Sequence, residues 1–145
     1  MTCKVIVVPP EVTLRSAWHV MTRERIRHLP VVRAGALIGM LSDRDVLSRG
    51  LLDRDGTLHV PSDIVVGEAM TPTPLVTCDD STDVSELVRV MTERKIDAVP
   101  VVRGLRLVGL VTTTDLLLLL LSLDEARPLP FEFELDVMDG PSAFA

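Results

Sequence analysis

The sequence predicts an α/β (α+β) fold made of two copies of one β-α-β-β-α unit. Residues 29–47, LPVVRAGALIGMLSDRDVL, return at a constant offset of 70 as residues 99–117, VPVVRGLRLVGLVTTTDLL. Apolar residues at helical spacing precede each of these segments, and short apolar runs bounded by turn residues frame them. A repeated unit of this kind usually means that one copy cannot bury its apolar face alone.

The first two elements of each unit are a strand and a helix. The runs VIVV (residues 5–8) and LVTC (residues 75–78) predict short buried strands, which the turn sequences PPE and DDS end. Asp83 with Glu86 resembles a capping box at the start of the second helix. The apolar stripes that predict the two helices are Leu14, Ala17, Trp18 and Met21 in copy one and Val84, Leu87, Val88 and Met91 in copy two.

Two further strands and a closing helix complete each unit. The strands are predicted at 29–32 and 36–41, and again at 99–102 and 105–111. The closing helices are predicted from Asp43 to about Leu52 and from Thr113 to about Leu123. A short helix is expected near Val66 in the connection. These boundaries divide the chain into unit one (1–62), unit two (63–123) and an acidic tail (124–145) that is either disordered or forms a short strand at PLPFEFEL.

Charge and composition exclude several classes of function. The net charge of the 145 residues is −6, with a balance of +4 in residues 1–52 and −10 in the remainder. An acidic total argues against nucleic acid as the partner, whereas the basic first half allows a small anionic ligand. The eight-residue stretch LLLLLLSL (residues 116–123) is too short to cross a bilayer, so no membrane partner is expected.

Neither metal binding nor secretion is predicted. Cys3 and Cys78 fit no metal or redox spacing, and His19 and His59 have no ligand-like companions. The start of the chain lacks the basic and long apolar regions of a secretory signal. We therefore expect a cytoplasmic protein with free thiols, no metal and no catalytic cofactor.

Each copy ends its last strand on a hydroxyl residue followed three positions later by an aspartate. Ser42 with Asp45 and Thr112 with Asp115 occupy the start of the closing helix. There a hydroxyl and backbone N–H groups suit a phosphate, and a carboxylate can accept both hydroxyls of a ribose. The same spacing is also a variant of the capping box, so both interpretations remain open.

At these residues the chain resembles a tandem pair of cystathionine-β-synthase (CBS) domains, the Bateman module. The resemblance covers roughly residues 5–123 and rests on the two segments that end in Gly, two apolar residues, Ser or Thr, and Asp. It implies two units packed through their sheets with pseudo-twofold symmetry. It also implies sensing without catalysis, with AMP, ADP, ATP or S-adenosylmethionine bound in clefts between the units.

The resemblance implies candidate ligand-binding residues. The ribose and phosphate side comprises Ser42, Arg44, Asp45, Thr112, Thr114 and Asp115. The base side and further phosphate contacts comprise Ile6, Val7, Val8, Arg27, His28, Pro30, Val76, Thr77, Cys78 and Pro100.

The two clefts are predicted to differ. The crossed arrangement that the resemblance implies assigns Arg27 and His28 to the Asp115 cleft. It makes Asp97 face the Asp45 cleft, where this carboxylate would repel anions. A phosphorylated ligand would then fill the Asp115 cleft first.

The overall prediction is a stand-alone energy-sensing module. It would bind an adenosine nucleotide, form a homodimer through the apolar helix at residues 116–121, and act on an unidentified effector protein. The alternative is a ligand-free dimerisation module in which Asp45 and Asp115 only cap helices.

Overall fold

The computed structural model describes residues 4–123 and 128–138. The predicted order of helix, two strands and helix is confirmed in both copies. Copy one contains α1 (Leu14–Glu24), β1 (His28–Arg33), β2 (Ala36–Ser42) and α2 (Asp43–Arg49). The connection contains β3 (Leu51–Leu52), β4 (Leu58–His59), α3 (Val66–Ala69) and β5 (Thr71–Pro72). Copy two contains α4 (Val84–Arg94), β6 (Ala98–Arg103), β7 (Arg106–Thr112) and α5 (Thr113–Ser122).

The two copies share one antiparallel sheet with the strand order β1-β2-β7-β6. They join where Ala36 of β2 pairs with Arg106 of β7. These two residues are equivalent under the offset of 70. The backbone hydrogen bonds on either side, Leu37 N to Leu105 O and Leu107 N to Gly35 O, are also related by the offset and are both 3.1 Å long. The predicted pseudo-twofold packing through the sheets is thus confirmed.

The prediction of short buried strands at 5–8 and 75–78 is wrong. Each segment forms only one parallel bridge, Val8 with Val31 and Cys78 with Val101. The Val8 amide donates to the Pro30 carbonyl at 3.1 Å, and the Val8 carbonyl accepts from the Val32 amide at 3.0 Å. Each segment therefore pairs with the edge of the sheet at a single residue. One bridge is too short to form a ladder of backbone hydrogen bonds.

Two predicted helix features also need correction. The closing helix of copy one ends at Arg49 rather than near Leu52, because Leu51 and Leu52 pair with residues 58 and 59 in a small hairpin. Asp83 is the N-cap of α4, but its side chain makes no capping hydrogen bond. The capping box predicted there is absent, because the spacing fixes the residue types but not the side-chain rotamer.

The hydrophobic core is uneven between the copies. The first copy has ten buried core residues, among them Leu14, Leu29 and Leu41 at 0 % exposure. The buried cluster of the second copy contains Leu87, Met91 and Val99. Val66 packs in the core of copy one. Part of the segment that we predicted as the start of unit two (63–123) therefore packs with copy one.

The helix α5 and the described part of the tail leave many apolar side chains uncovered. The leucines of α5 from 117 to 121 are each at least 40 % exposed. Residues 128–138 contain no helix or strand, and the rest of the predicted tail lies outside the described residues. No helix in the described ranges is both long and apolar enough to cross a membrane.

Candidate functional site

The two hydroxyl–aspartate pairs both form complete capping boxes. The Asp45 Oδ2 atom accepts a hydrogen bond of 2.8 Å from the Ser42 amide, and the Ser42 Oγ atom accepts one of 3.2 Å from the Asp45 amide. Thr112 and Asp115 repeat this arrangement at 2.8 and 3.3 Å. The capping interpretation therefore describes both copies as they stand.

The two boxes differ in what their hydroxyl groups do. The Thr112 hydroxyl also donates to the Asp115 Oδ2 atom at 3.0 Å. The Ser42 hydroxyl accepts from the Asp45 amide, and it donates no hydrogen bond within the described part of the chain. Its proton is available to an incoming oxygen, as is the Oδ1 atom of Asp45, which has no partner among the described residues. The first copy thus keeps a donor and an acceptor for a ligand.

These two groups face a cleft of about 590 Å³ between the copies, within the usual volume range of small-molecule sites. Residues from both copies line it. The polar lining comes mostly from the start of α2 and from the residues before β1 and β6. The lining residues are Arg27, His28, Met40, Ser42, Asp43, Arg44, Asp45, Leu47, Thr71, Pro74, Leu75, Val76, Lys95, Ile96, Asp97, Ala98 and Pro100.

The charges of the cleft are mixed. Three cations, Arg27, Arg44 and Lys95, line it together with three carboxylates, which belong to Asp43, Asp45 and Asp97. The cations are exposed, so they can turn toward a ligand in the opening. These cations would attract a phosphate group, whereas the carboxylate of Asp97 would repel it.

The environment of the cleft shifts the pKa of His28. It is half-buried, and this burial lowers the pKa of its imidazole below the usual 6.5. The carboxylates of Asp43, Asp97 and Asp45 raise the pKa and Arg27 lowers it, but burial is the largest effect. A bound phosphate near the ring would favour the imidazolium form.

We expect His28 to make the unfolding free energy fall on acidification. Between the lowered pKa of the folded state and the value of 6.5 expected for the unfolded chain, the unfolded state binds more protons. This contribution is present above pH 6.5 and is lost as the pH falls through the folded-state pKa. Denaturant unfolding of wild type and His28→Gln at about pH 7.5 and about pH 5.5 measures it. Identical pH dependence in the two proteins would contradict the assignment.

Several predicted site residues lie together in this cleft. Ser42, Arg44 and Asp45 of copy one meet Val76 and Pro100 of copy two there, as expected.

The other candidates are not among the residues that line this cleft. They are Ile6, Val7, Val8, Pro30, Thr77, Cys78, Thr112, Thr114 and Asp115. Val8 and Pro30 are buried at the bridge to β1. Cys78 is partly buried, which together with Asp79 raises the pKa of its thiol.

The expected assignment of Arg27 and His28 to the Asp115 cleft is wrong. Both residues line the Asp45 cleft, because the Arg27 carbonyl accepts a 2.9 Å hydrogen bond from the Asp43 amide and so fixes this segment beside α2. The expectation that Asp97 faces the Asp45 cleft agrees with the lining.

Lys95 and Asp43 are lining residues that the sequence reasoning missed. Lys95 ends α4 in the left-handed conformation, as its equivalent Arg25 ends α1. This pair of basic residues at one repeat position was the available signal. Within the described residues, no group of three or more His, Cys, Asp or Glu side chains is arranged to hold a metal ion.

Comparison with known proteins identifies the family. The model of the CBS domain matches residues 1–51 and 66–122. The chain belongs to the CBS-domain family. It is similar to the CBS domain-containing protein YhcV of Bacillus subtilis, with 32% identity over 117 residues that cover 80% of this chain and 79% of YhcV.

Solved CBS-domain structures share the fold. A protein described as an acetoin utilization protein (AcuB) from Vibrio cholerae superposes with a TM-score of 0.73 at 28% identity, covering 88% of this chain and 94% of AcuB. CBSX2, whose structure was solved in complex with AMP, superposes with a TM-score of 0.70 at 30% identity, covering 86% of this chain and 95% of CBSX2. The predicted fold of paired CBS units is thereby confirmed.

Proposed function

We propose that this CBS pair is a regulatory module that binds an adenosine-type nucleotide in the Asp45 cleft. The observation that carries the proposal is the meeting of an unused hydroxyl proton, a free carboxylate oxygen and three cations in one cleft between the copies. The AMP complex of the related CBSX2 supports the ligand class.

Each part of such a ligand has a matching chemical group in the cleft. The free Oδ1 atom of Asp45 would accept the ribose hydroxyls, since charge-assisted hydrogen bonds of this kind are strong and directional. The Ser42 hydroxyl and the side chain of Arg44 would contact the phosphate. Val76, which is partly exposed, offers an apolar surface for the base. Because the polar groups come from copy one and the apolar contact comes from copy two, the nucleotide would bridge the copies.

The proposed output is a change in a partner protein or in the assembly of the chain itself. A ligand shifts a conformational equilibrium only when it binds the two states with different affinity. A nucleotide that bridges the copies meets this condition if their relative arrangement changes. The proposed role is therefore binding and signalling to an effector protein, without catalysis.

The alternative function is structural. Both capping boxes are complete without any ligand, which is what a dimerisation module with empty clefts requires. A melting experiment separates the two functions, using AMP, ADP, ATP, S-adenosylmethionine and NAD. A ligand at 100 times its dissociation constant should stabilise the fold by about 2.7 kcal/mol. No rise in melting temperature with any of the five would favour the structural function.

We expect a homodimer held through the outer face of α5. At 100° per residue, Leu118 and Leu121 lie opposite the face that packs toward α4, and they are 58 % and 74 % exposed. Covering each should contribute about 1.5–3 kcal/mol. Light scattering should show a dimer for wild type and a monomer for the double variant Leu118→Glu with Leu121→Glu.

Leu105→Glu is the matched control for this prediction, because Leu105 is 82 % exposed in the β6–β7 turn, away from α5. It should remain dimeric. Wild type that scatters as a 15.9 kDa monomer at micromolar concentration would contradict the prediction.

A further inference from the structure

The segment that follows α2 returns over the first copy and closes its core. Val60 and Val66 of this segment are buried. The Leu14 amide donates to the Ile64 carbonyl at 2.8 Å, and the Val66 amide donates to the Val12 carbonyl at 2.8 Å. These contacts cover the start of α1, and Leu14 is consequently 0 % exposed.

The second copy has an open apolar groove at the equivalent place. This groove lies between α4 and α5 and has a volume of about 810 Å³. Val84 lines it and is 51 % exposed, although its equivalent Leu14 is fully buried. Leu116 also lines it and is partly exposed, whereas its equivalent Val46 is fully buried. The part of the groove at Val84 and Leu116 corresponds to the surface that residues 60–70 cover in copy one.

A pair of equivalent glycines shows the same difference. In copy one, β5 pairs with β2 at Gly39, and a Cβ atom on Gly39 would collide with the Met70 sulfur and lie 2.9 Å from the Thr71 carbonyl. At Gly109, a Cβ atom would meet only the side chain of Val101, at 3.4 Å. The described residues thus place a methionine over Gly39 and none over Gly109.

The tail repeats the sequence that covers copy one. Glu68-Ala69-Met70 has a counterpart in Asp136-Val137-Met138, and each is followed by a proline within three residues. The tail side chains are uncovered: Leu135, Val137 and Met138 are 92 %, 83 % and 86 % exposed. The tail therefore offers an acidic residue, a small apolar residue and a methionine in the same order as the segment that covers copy one.

The length and the charge of the tail both allow it to dock on its own chain. The residues between Ser122 and Met138 can span roughly 50 Å when extended, more than the length of α5. Arg44 and Lys95 line the groove against one carboxylate, that of Asp97. The tail carries Glu132, Glu134 and Asp136, so its charge complements that of the groove.

We propose that residues 135–138 form a strap that docks at the Val84 end of the groove between α4 and α5 of the same chain and extends onto β7, with Met138 over Gly109. The strap does for copy two what residues 66–70 do for copy one. It gives the CBS pair two states, one with the groove covered and one with it open. Docking of the strap requires no nucleotide and does not depend on the proposed ligand.

Disulfide trapping tests the position of the strap. Gly109→Cys is combined with Met138→Cys in a chain carrying Cys3→Ser and Cys78→Ser, where the shorter side chain at 138 leaves room for the new one at 109. Mild oxidation should give an intramolecular cross-link at every protein concentration. Leu129→Cys replaces Met138→Cys in the matched control and should cross-link far less. Equal cross-linking of both, no cross-linking, or only intermolecular cross-links would overturn the proposal.

Melting of single variants supplies a second test that needs no cross-link. Met138→Asp places a charge where the strap should be buried, and we expect the melting temperature to fall by about 4 °C or more. Leu129→Asp changes another exposed tail residue, which lies outside the strap, and should leave the melting temperature unchanged. Equal melting temperatures of Met138→Asp and wild type would overturn the proposal.

Discussion

Replacing Asp45 with asparagine should weaken AMP binding about tenfold or more, because hydrogen bonds to a charged group contribute about 1.5–3 kcal/mol. The variant keeps the shape of the side chain and can still accept from the Ser42 amide. The unfolding free energy should therefore fall by about 1 kcal/mol or less. Titration calorimetry gives the affinity, and denaturant unfolding gives the stability.

Asp115→Asn is the matched control for this experiment. Asp115 has the same cap geometry in copy two, but the Thr112 hydroxyl already donates to its carboxylate and it does not line the Asp45 cleft. The affinity of the Asp115→Asn variant for AMP should stay near that of wild type. If Asp115→Asn abolishes the tighter site and Asp45→Asn leaves it intact, the assignment of the cleft is wrong.

Replacing Leu41 with alanine should lower the unfolding free energy by about 2–5 kcal/mol, the usual range for a leucine truncated in a packed core. Leu41 is 0 % exposed in β2, inside the larger of the two hydrophobic clusters. Removing its branched end leaves a cavity in the part of the fold that we expect to carry most of the stability. Denaturant unfolding at constant pH measures the change.

Leu105→Ala is the control, because this leucine is 82 % exposed in a turn and makes no core contact that truncation would remove. Its unfolding free energy should remain within about 0.5 kcal/mol of wild type. An effect of Leu41→Ala as small as that of Leu105→Ala would contradict the uneven core.

The internal repeat made most of the fold predictable. Strands β1, β2, β6 and β7 follow from apolar runs bounded by turn residues, and the equal register of the copies implies a symmetric partnership. The sequence does not say which residues touch across the symmetry axis. The pairing of Ala36 with Arg106 emerges only in three dimensions.

The errors in the fold arise because local residue type does not determine the contacts that a residue makes in the folded chain. The segments at residues 5–8 and 75–78 have the composition of buried strands, yet each meets the sheet at one residue. Strand propensity reports a side chain that fits a half-buried surface, and it does not count ladder hydrogen bonds. Asp83 likewise has the right type and spacing for a cap, but its rotamer is set by its surroundings.

Sequence analysis singled out some of the residues that line the candidate cleft, and it missed or misplaced others. Ser42 and Asp45 were found because their local spacing carries the chemistry. Arg27 and His28 were assigned to the other cleft, because the crossing of the chain decides which cleft a loop faces. Lys95 was missed because the left-handed end of α4 directs it toward the opening, and only the folded backbone reveals that direction.

The most direct test of nucleotide binding in the Asp45 cleft is a titration of the ¹⁵N-labelled wild-type protein with AMP, followed by amide NMR spectra. We expect saturable shifts that are largest at residues 42–45 and at Val76 and Asp97, on both sides of the cleft. Shifts centred on residues 112–115, or spectra that stay unchanged up to millimolar AMP, would contradict it.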